Sequence, residues 1–151
     1  MNVEIRQARP EDLETIVRLH EEDELGSHGD AWRPENREFY EAAFTAIAAS
    51  PDNELYVAEA DGRVVGTFQP TFIPNLTGRG ALRVKVESVK VSALLRSRGI
   101  GARMMAFAEA AARSRGARML ELTSNRTRQD AHRFYERLGF ERSHVGFKKR
   151  L

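Results

Sequence analysis

Arg96-Ser97-Arg98-Gly99-Ile100-Gly101 separates a strand-like run at residues 82–91 from a helix-like run at residues 100–113. A basic, glycine-bearing turn that opens a helix suits phosphate. The first helical turn leaves backbone N–H groups without intrahelical partners, and the macrodipole puts positive partial charge there. Gly99 and Gly101 let the backbone approach an anion closely and accept positive φ. Arg96 and Arg98 add full charges. The stretch predicts a strand–turn–helix unit that holds a phosphate-bearing ligand.

The strand leading into this turn changes parity. Leu82, Val84 and Val86 are apolar at even positions, with Arg83, Lys85 and Glu87 on the other face. The next apolar residues, Val89 and Val91, are at odd positions. One face stays apolar only if an extra residue is inserted, which predicts a β-bulge near Glu87-Ser88. A strand buried on both faces past residue 86 would give the same pattern without a bulge. A bulge would splay the strand and leave backbone groups able to bind an extended ligand.

Working outward, Val3 and Ile5 begin a strand, and Arg9-Pro10-Glu11-Asp12 breaks it and starts a helix through Leu13, Ile16, Val17 and Leu19. After the loop at residues 26–30, a second helix near Pro34 is expected to pack Phe39, Tyr40, Ala43, Phe44 and Ile47 on one side. Strands at residues 54–60 and 63–72 flank Asp61-Gly62, a hairpin turn signal. A third strand covers residues 81–91. The helix after Gly99 presents Ile100, Met104, Phe107, Ala108 and Ala111 inward, and Gly116 stops it. A short strand at residues 119–122, a helix at 127–138 closed by Gly139, and a last strand at 140–147 complete the order β-α-α-β-β-β-α-β-α-β. This is an α/β domain with a mixed sheet flanked by helices. It is read as a single domain over residues 1–151.

Composition narrows the function classes. The 151 residues are 41% hydrophobic and 30% charged, an ordinary soluble balance, with a net charge of only +2. That charge argues against a nucleic-acid partner, although arginines crowd the second half and Glu21-Glu22-Asp23-Glu24 makes the first half locally acidic. No cysteine is present, which excludes a cysteine nucleophile, disulfides and thiolate metal sites. His20, His28, His132 and His144 lack metal-ligand spacing. No run reaches the roughly 18 apolar residues of a membrane helix, and the N-terminus lacks a signal-peptide core. No metal and no membrane are expected, and the location expected is cytoplasmic.

The bulged strand, the loop Arg96-x-x-Gly99-x-Gly101 and the later Ala131-x-x-Phe134-Tyr135-x-x-x-Gly139-Phe140 together resemble the GNAT N-acetyltransferase superfamily, and the resemblance runs over essentially the whole chain. It implies the GNAT fold and acetyl-CoA as acetyl donor. It implies that the backbone of Val89, Lys90 and Val91 lies along the pantetheine arm. Arg96, Ser97, Arg98, Gly99, Ile100, Gly101 and Ala102 would then surround the pyrophosphate. The backbone N–H of Val89 would donate to the oxyanion. Many members carry Asn three residues before the alanine of the second motif. Here Arg128 stands there and Asn125 lies three residues earlier, which leaves open which of them touches the cofactor.

Amide formation from an amine and a thioester needs a neutral amine, an oxyanion donor and stabilisation of the leaving thiolate. Tyr135 resembles the family's general acid for that thiolate. Its spacing on the helix alone also fits a core aromatic. Glu87, at the expected bulge, is the candidate base, with an exposed strand Glu paired to Lys85 or Lys90 as the alternative. The acidic run 21–24, His28, Trp32, Phe72 and residues 74–80 are candidates for the acceptor side. Glu21 to Glu24 read equally as a solvated helix face. Trp32 either lines a pocket or caps the second helix.

The resemblance implies transfer of an acetyl group to a primary amine of a small molecule or peptide by direct attack in a ternary complex. The alternative is a non-catalytic acyl-CoA-binding module. A dinucleotide site is disfavoured by Met104 where a third glycine or alanine belongs, and no G-K-[ST] loop is present. An RNA-binding reading lacks aromatic strand positions. A homodimer through the last strand is open.

Overall fold

The computed structural model describes residues 1–23 and 29–151. Five strands form one sheet in chain order: β1 (Val3–Gln7), β2 (Tyr56–Ala60), β3 (Arg63–Ile73), β4 (Arg83–Val91) and β5 (Met119–Glu121). The first four are mutually antiparallel and β5 runs parallel to β4. Among the described residues, four helices of nine residues or more accompany them: α1 (Leu13–Glu21), α2 (Arg37–Ala49), α3 (Ile100–Ser114) and α4 (Gln129–Arg137). Among the described residues no helix is long and apolar enough to cross a membrane.

Local chemistry sets these elements. Asp61 and Gly62 both take positive φ, at 50° and 81°, as the type I′ turn between β2 and β3 requires. α3 ends with Gly116 at φ 75°, while Gly116 N donates to Arg113 O and Ala117 N to Ala112 O, which satisfies the last carbonyls as a Schellman cap. α4 closes the same way on Gly139, with Phe140 N donating to Tyr135 O and Gly139 N to Glu136 O.

The core lies between the sheet and α3. Ile100, Met104, Met105, Ala108 and Ala112 are buried on α3, against Val84 and Val86 of β4 and Phe68 and Phe72 of β3. Gly66 lets the helix approach, because a Cβ there would sit 2.8 Å from Met104 Sδ. α1 packs on the opposite face through Ile16, Val17 and Leu19. α2 buries none of its side chains fully, and Phe39, expected on its inner side, is 73% exposed. Its turns carry alanine and aromatics on several sides, so periodicity alone misplaced the inward stripe.

Arg6 ties the start of the chain to this frame. It donates to Asp12 through both terminal nitrogens, at 2.7 and 3.0 Å, and to Glu59 from Nε at 2.6 Å. Asp12 also accepts from Arg9 N, and the Arg6 guanidinium holds its carboxyl below the usual carboxylate range. A lowered folded-state pKa means this stabilisation is complete above the unfolded pKa and is lost as pH falls through the folded one. Asp12→Asn is expected to cost about 3 kcal/mol near neutrality, since it strips a buried partner from Arg6. Urea melts should show that loss at pH 7 and a much smaller gap between variant and wild type below pH 3.

The last strand expected at residues 140–147 is absent. Residues 141–151 carry no strand and are exposed, including Val145 at 79% and Phe147 at 93%. Scattered apolar residues make a strand only where a partner pairs with them, and among the described residues nothing pairs with these. The chain order therefore closes at α4.

Candidate active site

The parity slip in β4 is a bulge. Lys90 lies opposite Thr67 and Glu87 opposite Gln69, so one residue of β3 faces two of β4. Ser88 takes φ 53° at that point. The insertion keeps Val84, Val86, Val89 and Val91 all on the α3 face. β5 meets β4 only at Arg83 to Lys85. Beyond Val86 the outer edge of β4 therefore has no neighbouring strand, and a gap opens beside it.

Backbone direction in this gap follows from the ladder. Ser92 N donates to Val65 O at 2.7 Å, so alternation turns Lys90 toward β3 and Val89 and Val91 toward the gap. The N–H and C=O groups of Val89 and Val91 thus face the gap. The backbone of Lys90, grouped with them by the family resemblance, lies opposite Thr67 and turns toward β3.

The strand delivers the chain to the helix start. Ser97 takes φ 63° and Gly99 φ 82°, two left-handed residues two positions apart. They aim successive amides toward one side, a geometry that holds anions. A Cβ on Gly99 would meet nothing within 4 Å, so that glycine serves its backbone angle and the open space in front of it. Gly101 does something different. A Cβ there would lie 3.1 Å from Phe134 Cζ. The α4 motif and the glycine loop are therefore in contact, with the Phe134 ring seated on the first turn of α3.

Tyr135 follows Phe134 and packs between it and Phe140, with ring centroids at 5.1 and 5.8 Å. Burial pushes its hydroxyl above the ordinary phenol value, and the Arg128 guanidinium pulls it partly back. Arg128, at the head of α4, is ion-paired with Asp23 at the end of α1. Asn125 is occupied locally, its side chain accepting from Thr127 N and Thr127 Oγ1. Of these two, Arg128 is the one tied to the groups around β4.

Glu87 is exposed at the bulge on the face away from α3, with Lys85 Nζ 3.5 Å from its Oε1. Lys90 occupies the same face beyond the bulge. The acidic run is not a free solvated face. Glu21 accepts from Trp32 N, Glu22 accepts from Ala93 N and Asp23 holds Arg128. Trp32 packs beside the start of α2, with its ring 6.2 Å from that of Tyr40 and the Arg37 guanidinium 5.2 Å above it. Glu24 and His28 lie outside the described residues.

Comparison with known proteins fits this geometry. The model of the acetyltransferase (GNAT) family matches residues 13–140. The chain belongs to the GNAT acetyltransferase family. It is 34% identical over 108 residues to an aminoalkylphosphonate N-acetyltransferase from Salmonella typhimurium, covering 72% of this chain and 70% of that protein. A transcriptional regulator from Bacillus halodurans C-125, solved by crystallography, superposes with a TM-score of 0.95 at 37% identity, covering 99% of this chain and 100% of that one. A glucosamine-6-phosphate N-acetyltransferase from Arabidopsis thaliana shares the fold, with a TM-score of 0.81 at 17% identity over 99% of both chains.

The protein is accordingly an N-acetyltransferase, and acetyl-CoA is its acetyl donor. The residues present suit that donor. The gap beside Val89 and Val91 has the backbone groups an extended amide-bearing arm can pair with, and the open space before Gly99 lies at a helix start. Two features of this GNAT site were not read from the sequence. The Gly101–Phe134 contact spans 33 residues and leaves no local signal. The Lys90 side chain did leave one, since a lysine between Val89 and Val91 must face away from α3.

Proposed function

We propose that residues 1–151 act as one GNAT domain that acetylates a primary amine of a small molecule or peptide by direct attack in a ternary complex. The observation that carries this reading is the unpaired outer edge of β4, which runs from the Ser88 bulge to the head of α3. Bound acetyl-CoA supplies the electrophilic thioester carbonyl. The Val89 N–H, turned into the gap, donates to the oxygen on which charge develops. The amides of residues 97–102 and the side chains of Arg96 and Arg98 hold phosphate at the helix start. Glu87 takes the amine proton directly or through a water, with Lys85 orienting its carboxylate. Tyr135 keeps its proton at neutral pH and gives it to the departing sulfur. The Salmonella relative's name points to an amine whose far end is an anion, which favours a small acceptor.

The positive φ at Ser88 and Ser97 supports the assignment, because non-glycine residues hold such angles at a cost of about 1–3 kcal/mol and cluster at functional sites. A homodimer joins this proposal, supported by the exposed apolar side chains of Val145, Phe147 and Leu151, which a second copy would cover.

The test is release of free CoA thiol over a panel of amines, amino acids, aminoglycosides and peptides. Release that depends on one acceptor class supports transfer. A non-catalytic acyl-CoA-binding module would bind without any release. Glu87→Gln is expected to lower kcat/KM roughly 30-fold at pH 7. An unchanged kcat/KM would exclude Glu87 as the base.

A further inference from the structure

β4 holds a lysine that no carboxylate of the fold pairs with. The Lys90 residue is only 6% exposed, its stem covered and its ammonium at the surface of that cover, and among the described residues the ammonium has no ion-pair or hydrogen-bond partner. The two carboxylates whose charge reaches it are both engaged elsewhere, Asp23 by Arg128 and Glu22 by the Ala93 amide. Arg96 and Arg128 reach it as well, so among the described residues the two carboxylates are matched by two guanidinium groups. Burial pushes the Lys90 ammonium below its ordinary value. Lysines with covered stems are normally paired at the head. An unpaired ammonium held in place by a buried stem is placed to receive an anion.

Its position says which ligand. Glu87 and Lys90 lie on the same face of β4, away from α3, one on each side of the bulged Ser88. With one residue absorbed by the bulge, two strand steps separate them, about 7 Å. A short amine with an acidic group at its other end spans that interval, amine at Glu87 and anion at Lys90. The pyrophosphate loop is reached through the α3 side and the outer edge, whereas the Lys90 side chain points toward the end of α1.

We propose that Lys90 is the receptor for an anionic group, of phosphonate, phosphate or carboxylate type, on the acceptor amine, with Arg128 as its neighbour. The inference rests on the transfer reading above and adds the acceptor's second charge to it. The same anion chemistry has another source in the cofactor's own phosphates, and the test separates the two.

Acetylation of 2-aminoethylphosphonate, 3-aminopropylphosphonate and β-alanine is compared with that of propylamine and butylamine, in wild type, Lys90→Met and Lys90→Arg. Wild type is expected to favour the best acidic amine over its neutral counterpart by more than tenfold. Lys90→Met should shrink that ratio by roughly 10- to 100-fold, the size of a lost charge-assisted contact, and Lys90→Arg should restore most of it. In melting experiments without cofactor, methylphosphonate should raise the Tm of wild type but not of Lys90→Met, whose own Tm without ligand should lie above wild type.

An unchanged ratio in Lys90→Met overturns the proposal. So does equal loss for acidic and neutral amines together with weaker CoA binding by calorimetry, which assigns Lys90 to the cofactor. Wild type that prefers neutral amines removes the inference and leaves acetyl transfer standing. Wild type that acetylates none of the amines, here or in the wider panel, removes both.

Discussion

Tyr135→Phe is expected to lower kcat about 100-fold while leaving the Kd for CoA within a factor of two. The substitution removes only the hydroxyl. The ring that packs between Phe134 and Phe140 stays, so the fold keeps its contacts. Removal of a positioned acid from a step that expels a thiolate costs about this much. A thiol has a pKa near 8.5, so the leaving group gains less from protonation as pH rises. The penalty should therefore shrink above pH 9. Burial raises the hydroxyl above its ordinary value, so wild-type kcat should show no loss from Tyr135 ionisation between pH 7 and 9. If Tyr135→Phe matched wild type in kcat across that range, the residue would be core and nothing more. Stopped assays of thiol release, with melting curves for both proteins, make the distinction.

Gly99→Val is the second large effect. Gly99 sits at φ 82°, where a β-branched residue is strained by about 2–3 kcal/mol. Nothing lies within 4 Å of the added Cβ, so the chain relieves strain by moving the loop rather than by breaking the core. The amides of the helix start then lose their aim. CoA affinity is expected to fall roughly 50-fold, the equivalent of that strain, while Tm moves by a few degrees at most. Calorimetric titration of CoA reads the first and a thermal melt the second. A variant that binds CoA as wild type does would remove the loop from phosphate binding.

The parts of the site that sequence reveals are those set by neighbours along the chain. The turn at Asp61-Gly62 and the cap at Gly139 each need a residue that tolerates positive φ, and each is written locally. The bulge is legible because period-two alternation is strict, and the move from Val86 to Val89 breaks it. The strand expected at 140–147 fails for the opposite reason. Apolar residues there are sparse, Phe140 and then Val145 and Phe147, and among the described residues no strand lies beside them. Phe39 fails because α2 has no single apolar stripe to choose from. The contact of Gly101 with Phe134 and the pairing of Arg128 with Asp23 exist only in three dimensions. The first explains physically why the glycine loop and the α4 motif occur together, since one seats the other.

In the proposed reaction the open edge of β4 presents acetyl-CoA to an amine for direct transfer. Initial velocities of CoA thiol release, measured while acetyl-CoA and an active acceptor are varied against each other, test it most directly. Release is expected only when the amine is present, with intersecting double-reciprocal lines. Parallel lines, or release that proceeds equally without acceptor, would contradict it.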